Sequence, residues 1–157
     1  MRRYVFASAL IATALITGGA FADPASDIEE IKAAEIAFHT ALSAMDGKAM
    51  AAIWADKPYV TNIGPSNKRV FVGYDEAVTQ WITKVVPSRY SELKAQATSV
   101  ASIQVNGNVA WSVGMENVSG TNKAGEPLSF DALVTDIFEK DGGKWLMVSH
   151  HAQVPPK

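Results

Sequence analysis

The stretch SELKAQATSVASIQVNGNVAWSVGMENV, residues Ser91–Val118, decides the fold. In its second half large apolar side chains alternate with smaller or polar ones, the large ones being Val109, Trp111, Val113 and Met115. A period of two is typical of a β-strand. Asn106-Gly107, at the centre, is a strong signal for a tight hairpin turn, because such turns need backbone conformations that Asn and Gly tolerate. The stretch therefore predicts two long antiparallel strands, 91–105 and 109–118.

Two further strands are predicted downstream. A loose turn over 120–127 leads into a strand over 128–140. Asp141-Gly142-Gly143 then turns the chain into a last strand over 144–152. The second half of the chain is therefore predicted to be an antiparallel meander.

The first half of the chain has helical periodicity. Ser26 and Glu29 have the spacing of a capping box, which predicts a helix start. One stripe then follows at spacings of three and four, formed by Ile28, Ile31, Glu35, Phe38, Leu42 and Met45. Glu35 is the one carboxylate on this stripe, so we expect it to be partly buried, with a raised pKa.

Two shorter helices and an extended pair complete the pattern. Asp46 can cap a second helix that Pro58 ends, and a third helix over 74–86 is ended by Pro87. Extended segments over 59–63 and 69–72 flank a turn-rich cluster between these helices. Helices gathered on one face of an antiparallel sheet make an α+β domain. We expect a cone, in which a strongly curved sheet wraps around the long first helix and encloses a cavity.

The first 22 residues have the features of a secretory signal peptide. Arg2 and Arg3 precede a nearly uncharged apolar run, and Ala20-Phe21-Ala22 is a small-x-small cleavage site. A membrane anchor is the alternative, because the run is close to the roughly 17 residues that can span a bilayer. We expect cleavage after Ala22. This leaves one domain, residues 23–157, in the periplasm or outside the cell and without a membrane association.

The composition excludes several classes of function. Cleavage lowers Lys+Arg from 14 to 12 against 16 Asp+Glu, which gives a net charge of −4, and such a balance does not suit a nucleic-acid partner. The chain contains no Cys, which excludes thiol catalysis, thiolate metal sites and disulfides. With 48% hydrophobic residues, the domain is expected to be stabilised by packing.

The order of elements and the closing segment resemble a known group of proteins. The segment DGGKWLMVSHH, residues 141–151, follows the Asn106-Gly107-Asn108-Val109-Ala110 hairpin and the earlier Trp54-Ala55-Asp56. Together they resemble the nuclear-transport-factor-2-like superfamily, and within it the SnoaL-like group of small bacterial proteins. The closing pattern is also similar to the association domain of calcium/calmodulin-dependent kinase II. The resemblance implies the cone fold; it leaves the function open, because unrelated activities share this fold.

The best-defined chemistry of this fold is ketosteroid isomerisation, which uses an Asp base with a Tyr and a protonated Asp as donors. Local alignment places the Tyr donor on Phe38, the Asp base on Asn62 and the protonated Asp near Leu133. Phe and Leu have no proton to donate, and Asn is a poor base at neutral pH. The resemblance therefore argues against an isomerase of that type.

Three residues are candidates for acid–base chemistry. His151 is in phase with Trp145, Met147 and Ser149, so a regular strand would turn it towards the interior, as a proton carrier or as a structural histidine, and would turn His150 outward. Glu35 and His39, four apart on the first helix, form either an acid–imidazole dyad or an ordinary helix pair.

Other candidates would bind a ligand. Asn62 and Tyr59 point to opposite faces of the first strand, and the alignment favours Asn62 as the inward hydrogen-bonding group. Trp54, Trp81 and Trp111 are either core residues or a platform for an apolar ligand. The remaining acidic candidates, Glu116 and Asp131, are expected to face solvent. His and carboxylate spacings suit no metal site, and no phosphate-binding loop occurs, so the sequence predicts neither metal nor cofactor.

Two functions therefore remain open. The first is an exported homodimer that binds a small apolar or amphipathic molecule. If this protein is an enzyme, the expected reaction is proton transfer without a cofactor, with His151 or His39 as base. The second is a non-catalytic assembly module, in which Val109, Trp111, Val113 and Met115 form an interface between chains rather than a pocket.

Overall fold

The first helix carries the predicted apolar stripe. The computed structural model describes residues 24–156, so the predicted signal peptide lies outside the described residues. Helix α1 (Pro24–Ala44) buries Ile31, Phe38 and Leu42 together with Glu35. Ser26 does not cap this helix, because it lies inside the first turn and is exposed.

Asp27, the residue after Ser26, anchors the start of α1 instead. Asp27 accepts hydrogen bonds from Lys140 Nζ and, at 2.9 Å, from Trp145 Nε1. All three residues are half-buried or buried, and the two partners belong to the last hairpin. The contact therefore ties the beginning of α1 to the far end of the chain.

Short elements connect α1 to the meander. Asp46 caps α2 (Gly47–Ala51) as predicted, because its Oδ1 accepts from the backbone N–H groups of residues 48 and 49. Strands β1 (Thr61–Ile63) and β2 (Phe71–Val72) pair antiparallel. A π-helical segment, α3 (Asp75–Val85), continues directly into α4 (Val86–Arg89). Pro87 therefore does not end the helical region; it lies in the first turn of α4, where a missing N–H costs little.

The meander is confirmed with longer strands than predicted. It consists of β3 (Tyr90–Asn106), β4 (Val109–Asn122), β5 (Pro127–Asp141) and β6 (Lys144–Gln153). Neighbouring strands of this run pair antiparallel, and β1 joins the sheet parallel to β6. The sheet order is β2-β1-β6-β5-β4-β3.

Irregular pairing between β3 and β4 bends the sheet. The register shifts three times along β3, and bulges of this kind kink a strand and increase its twist. Gly114 and Gly120 of β4 lie beside these irregular positions, very close to the backbone of β3. A Cβ built on Gly114 would lie 2.3 Å from the carbonyl oxygen of Ser99, and one on Gly120 would lie 2.1 Å from that of Glu92. Glycine is therefore required where the two strands cross so closely.

The helices lie on the concave face of the sheet, and the predicted α+β cone is confirmed. Helix α1 packs against β3 and β6. In the core, the rings of Phe38 and Trp81 stack with their centres 6.3 Å apart. None of the helices described over 24–156 is both long and apolar enough to cross a membrane.

Candidate functional site

One row of residues crosses the six strands and brings polar side chains into the cone. Pairing places Ser112 of β4 beside Asp136 of β5, Asp136 beside His150 of β6, and His150 beside Asn62 of β1. All four side chains are buried, with at most 3% of their surface exposed. Residues paired on adjacent strands share a face of the sheet. The row is therefore a strip of hydrogen-bonding groups across the interior of the cone.

His150, rather than His151, faces the interior. The pairing of β5 with β6 shifts between Ile137 and Phe138, which leaves Val148 as an extra residue in β6. A bulge of one residue reverses the faces of everything that follows it. Trp145 and Met147 point inward before the bulge, and His150 points inward after it, whereas His151 is exposed. The predicted orientations of the two histidines are therefore wrong, because they assumed an uninterrupted strand.

Asp136 orients the imidazole of His150. Its Oδ1 lies 2.8 Å from Nδ1 of His150, so Nδ1 carries a proton and donates it to the carboxylate. No residue of the described range hydrogen-bonds to Nε2. The ring of Phe38 packs against the imidazole at 4.7 Å between centres. This arrangement holds one nitrogen in place and leaves the other for a ligand.

A second histidine, His39, reaches the same region from α1. Its Nδ1 lies 2.9 Å from the carbonyl oxygen of Glu35, and because a carbonyl only accepts, Nδ1 carries a proton. Its Nε2 lies 3.1 Å from Oε2 of Glu116. The expectation that Glu116 faces solvent is wrong, since this residue is 2% exposed; Asp131 is exposed as expected.

The Glu35 carboxylate is not part of a dyad with His39. It accepts a hydrogen bond from Ser112 Oγ, whereas His39 bonds to the backbone of Glu35. The side chains of the two residues therefore do not form the acid–imidazole pair that their spacing allowed. Both are buried, and both contribute to the same interior cluster.

The buried charges shift one another's pKa values. For His150 burial lowers the pKa, but the Asp136 charge, the hydrogen bond from Nδ1 and the Glu116 charge together outweigh burial and raise it. For Glu116 burial raises the pKa, but the hydrogen bond from His39 and the charges of both histidines outweigh burial and lower it. For Glu35 burial raises the pKa, and the Asp136 charge adds to the rise. The cluster therefore favours a protonated His150 beside an ionised Glu116.

His150 and Glu116 border a cavity of about 40 Å³ beneath α3 and α4. Its waist is apolar and includes Trp81, and its mouth is formed by Arg89, Tyr90 and the loop 64–67. A cavity of this size holds one or two water molecules. The buried part of any ligand in this conformation is therefore limited to a few atoms.

A smaller cavity of about 20 Å³ lies on the other side of Glu116. Glu35, His39 and Asp136 also line it. Its volume suits a single water molecule. Glu116 therefore separates two small spaces, each bordered by one of the buried histidines.

The remaining ligand-binding candidates are dispersed. Asn62 points inward as predicted and donates from Nδ2 to the carbonyl oxygen of Ala77, while its buried Oδ1 has no partner within 24–156. Trp54 is a core residue, and Trp81 is both a core residue and part of the cavity wall. Tyr59 is half exposed, and its hydroxyl donates to Glu139 at 2.6 Å.

Trp111 lies on the outer face of the sheet with 38% of its surface exposed, so it is neither core nor cavity. Leu133, the position aligned with the protonated Asp of ketosteroid isomerase, also lies on this outer face, and its side chain is 52% exposed. Within residues 24–156 no group of three or more His, Asp or Glu side chains has the geometry of a metal site.

Comparison with known proteins identifies the family. A family model described as the SnoaL-like domain matches residues 31–156. The chain belongs to the SnoaL-like domain family. No curated protein matches it.

Solved structures confirm that the SnoaL-like chain has the nuclear-transport-factor-2-like fold. A superfamily member from Salmonella enterica is 14% identical, with a TM-score of 0.79 over 86% of this chain and 95% of that one. A candidate dehydratase from Streptomyces avermitilis is 20% identical, with a TM-score of 0.74 over 86% and 100%. A candidate calcium/calmodulin-dependent protein kinase II association domain from Xanthomonas campestris is 20% identical, with a TM-score of 0.70 over 87% and 94%. Identities this low show the fold alone.

Sequence reasoning missed two residues of the buried cluster, Ser112 and Asp136, and placed a third, Glu116, in solvent. Ser112 and Glu116 are in phase with Ala110 and Val118, which are buried, and out of phase with the large apolar residues of β4. This alternation was the available signal that Ser112 and Glu116 point inward. It was overlooked because the more apolar face of a strand is ordinarily the inner one.

Proposed function

We propose that this SnoaL-like protein binds a small molecule in the cone and transfers a proton on it without a cofactor. One observation carries the proposal: His150, oriented by Asp136, borders the cavity together with Glu116. Burial of charge is costly, and buried titratable groups with a charge partner in a cleft mark a candidate functional site.

The protonation states suggest the roles of the two groups. Glu116, whose pKa is lowered, is the base, and His150, whose pKa is raised, is the acid. In a dehydration, Glu116 would take a proton from carbon, a C=C bond would form, the C–O bond would break, and His150 would protonate the departing oxygen to release water. In an isomerisation, the same two groups would remove and return a proton. His39, beside Glu116, would then stabilise the base rather than touch the substrate.

The proposal can be tested by exchange of carbon-bound hydrogen for deuterium. The purified protein is incubated in D₂O with small β-hydroxy carbonyl compounds, and mass spectrometry follows deuterium uptake and loss of water. We expect turnover that His150→Gln reduces by at least about a hundredfold, the usual scale for a general acid or base. His151→Gln is the matched control, since the neighbouring histidine is exposed on the other face. Equal activity of the two variants would contradict the role of His150.

A second candidate function is self-assembly, which the outer face of the sheet favours. Apolar side chains stand exposed there on two adjacent strands, namely Val109, Trp111, Val113, Leu133 and Ile137. Pairing brings Trp111 beside Ile137, which makes the patch continuous across β4 and β5. Patches of this kind often mark interfaces between proteins.

We infer a homodimer through this face, and sedimentation at micromolar concentration tests it. Trp111→Glu should shift a dimer to monomer, whereas Tyr59→Glu, at another exposed aromatic residue, should not. A wild-type monomer at these concentrations would exclude the assembly function. It would leave the cavity proposal unaffected, because His150 and Glu116 face the opposite side.

We also propose that the protein is exported and cleaved after Ala22. The charged start, the apolar run and the Ala20-Phe21-Ala22 site support this. Expression of the full chain in a bacterial host, followed by mass spectrometry of the periplasmic fraction, should give a protein that begins at Asp23. Recovery of uncleaved protein in the membrane fraction would favour an anchor instead.

A further inference from the structure

The mouth of the cavity contains a cation that no acidic residue of the described range 24–156 neutralises. Arg89, at the end of α4, is half-buried and lines the cavity. Its Nη1 donates to Oδ1 of Asn67 at 2.7 Å, and within residues 24–156 it forms no ion pair with a carboxylate. Arg69, by contrast, is paired with Glu76 at 2.7 Å and lies outside the cavity lining. A guanidinium has five donors, so the contact with Asn67 leaves most of its capacity unused.

Asn67 holds the guanidinium of Arg89 in place from the loop 64–67. Its Oδ1 accepts the hydrogen bond from Arg89, and its Nδ2 is packed away from the cavity space. The amide is held in place, because the backbone N–H of Asn67 donates to the carbonyl oxygen of Gly64 and Gly64 packs against Nδ2.

The charges at the two ends of the cavity differ in their pairing. At the inner end Glu116 is paired with His39, and Asp136 is paired with His150. Arg89, at the mouth, has no carboxylate partner within residues 24–156. An anionic group on a ligand would therefore be attracted to the unpaired guanidinium at the mouth. The cavity therefore orients a ligand with an anionic end at the mouth and its neutral part inside.

We propose that the ligand carries a carboxylate, which Arg89 binds at the mouth. Arg suits this role because its planar donors match the two oxygens of a carboxylate. The apolar waist, which includes Trp81 and Leu93, accommodates a short hydrocarbon part, and the reacting carbon lies towards His150. The inference rests on the proposed function, to which it adds the chemical class of the substrate.

Matched pairs of acids and amides test the inference. The probes are propionate and 3-methylbutanoate, each compared with its primary amide at pH 7.5. Binding is followed by NMR through the Trp81 indole N–H and the Arg89 side-chain N–H signals. We expect the acids to bind at least about tenfold more tightly than the amides, since hydrogen bonds to charged groups are the stronger ones. Arg89→Gln should remove this preference, and Arg69→Gln, with the same change of net charge, should keep it.

A second variant distinguishes binding of the carboxylate from a purely structural role of Arg89 and Asn67 in the loop 64–67. Asn67→Asp keeps an acceptor for Arg89 but occupies the guanidinium with a charge. Acid binding should fall at least about tenfold while amide binding stays unchanged. If Arg89 and Asn67 only hold the loop 64–67 in place, this variant would bind the acids as the wild type does, and the inference would be wrong.

The outcomes also distinguish this inference from the function on which it rests. Equal binding of acids and amides would overturn the carboxylate site and leave the small-molecule function standing. Binding of neither member of any pair, together with no deuterium exchange, would overturn both. Tighter binding of the acids that depends on Arg89 and Asn67 would support both.

Discussion

Replacing Asp136 with Asn removes one charge from the interior and changes the shape of the side chain very little. Oδ1 of Asp136 lies 2.8 Å from Nδ1 of His150, and an Asn oxygen can accept the same hydrogen bond. Both side chains are at most 3% exposed, so water screens their attraction poorly. The substitution therefore separates the effect of the charge from the effect of the hydrogen bond.

The size of the effect follows from Coulomb's law. Two unit charges about 4 Å apart in a medium with an effective dielectric constant of about 20 attract by about 4 kcal/mol. Part of this is recovered in the variant, because His150 can release its proton. We therefore expect Asp136→Asn to lower the free energy of unfolding by about 2–3 kcal/mol at pH 6.

The loss should depend on pH in a definite direction. The pKa of His150 is raised in the folded protein, because the attraction of Asp136 and Glu116 outweighs the effect of burial. The stabilisation from its proton is complete below the unfolded pKa, near 6.5, and disappears as the pH rises through the folded pKa. The difference between wild type and variant should therefore shrink from pH 6 towards pH 10.

Urea unfolding of the purified protein over this pH range measures the difference. Asp131→Asn is the control, since Asp131 lies on the exposed face of the same strand and hydrogen-bonds to Asn117 at 2.8 Å. We expect the control to change stability by less than about 0.5 kcal/mol at every pH. A loss for Asp136→Asn that is the same at pH 6 and pH 10 would refute the reasoning, because it would show a packing defect rather than a lost charge pair.

Two further substitutions have defined outcomes. Glu35→Gln should raise the free energy of unfolding by about 1 kcal/mol at pH 8 and leave it unchanged at pH 4. The reason is that the raised pKa of Glu35 makes its ionised form unfavourable in the fold, and Gln cannot ionise. Urea unfolding at the two pH values checks this, and a loss of stability at pH 8 would contradict it. Gly114→Ala should cost about 3 kcal/mol or prevent folding, because the new Cβ would lie 2.3 Å from a backbone oxygen of β3. Gly125→Ala is the control, because no atom lies within 4 Å of the new Cβ, and it should cost about 1–2 kcal/mol through its positive φ alone. Equal losses for the two variants in thermal unfolding would argue against a clash at Gly114.

Most of the fold was predictable because its signals are local. The Asn106-Gly107 turn, the cap at Asp46 and the stripe of α1 each depend on residues a few positions apart. Their physical causes, which are turn geometry, satisfaction of free N–H groups and burial of one helix face, act within a single element. The order of these elements was sufficient to predict the α+β cone and its family.

The site was predictable only in part. The sequence indicated that Asn62 points inward and that Glu35 is buried, and both are so. It placed His151 in the interior and His150 outside, because nothing in the local pattern reveals the extra residue at Val148. That bulge exists only through the pairing of β6 with β5. A single inserted residue reverses the faces of the strand, so this choice belonged to the tertiary structure.

The sequence by itself determined the elements, their order, the absence of thiol chemistry and the residue types available for a site. Only the tertiary structure decided which of them meet. In β4 the large side chains such as Trp111 lie outside, whereas Ser112 and Glu116 lie inside, contrary to the usual pattern. The physical reason is that partners from other elements, His39 of α1 and the Asp136–His150 pair, satisfy these polar groups in the interior. Whether a polar residue can be buried depends on partners that are distant in sequence, and hydrophobic periodicity carries no information about them.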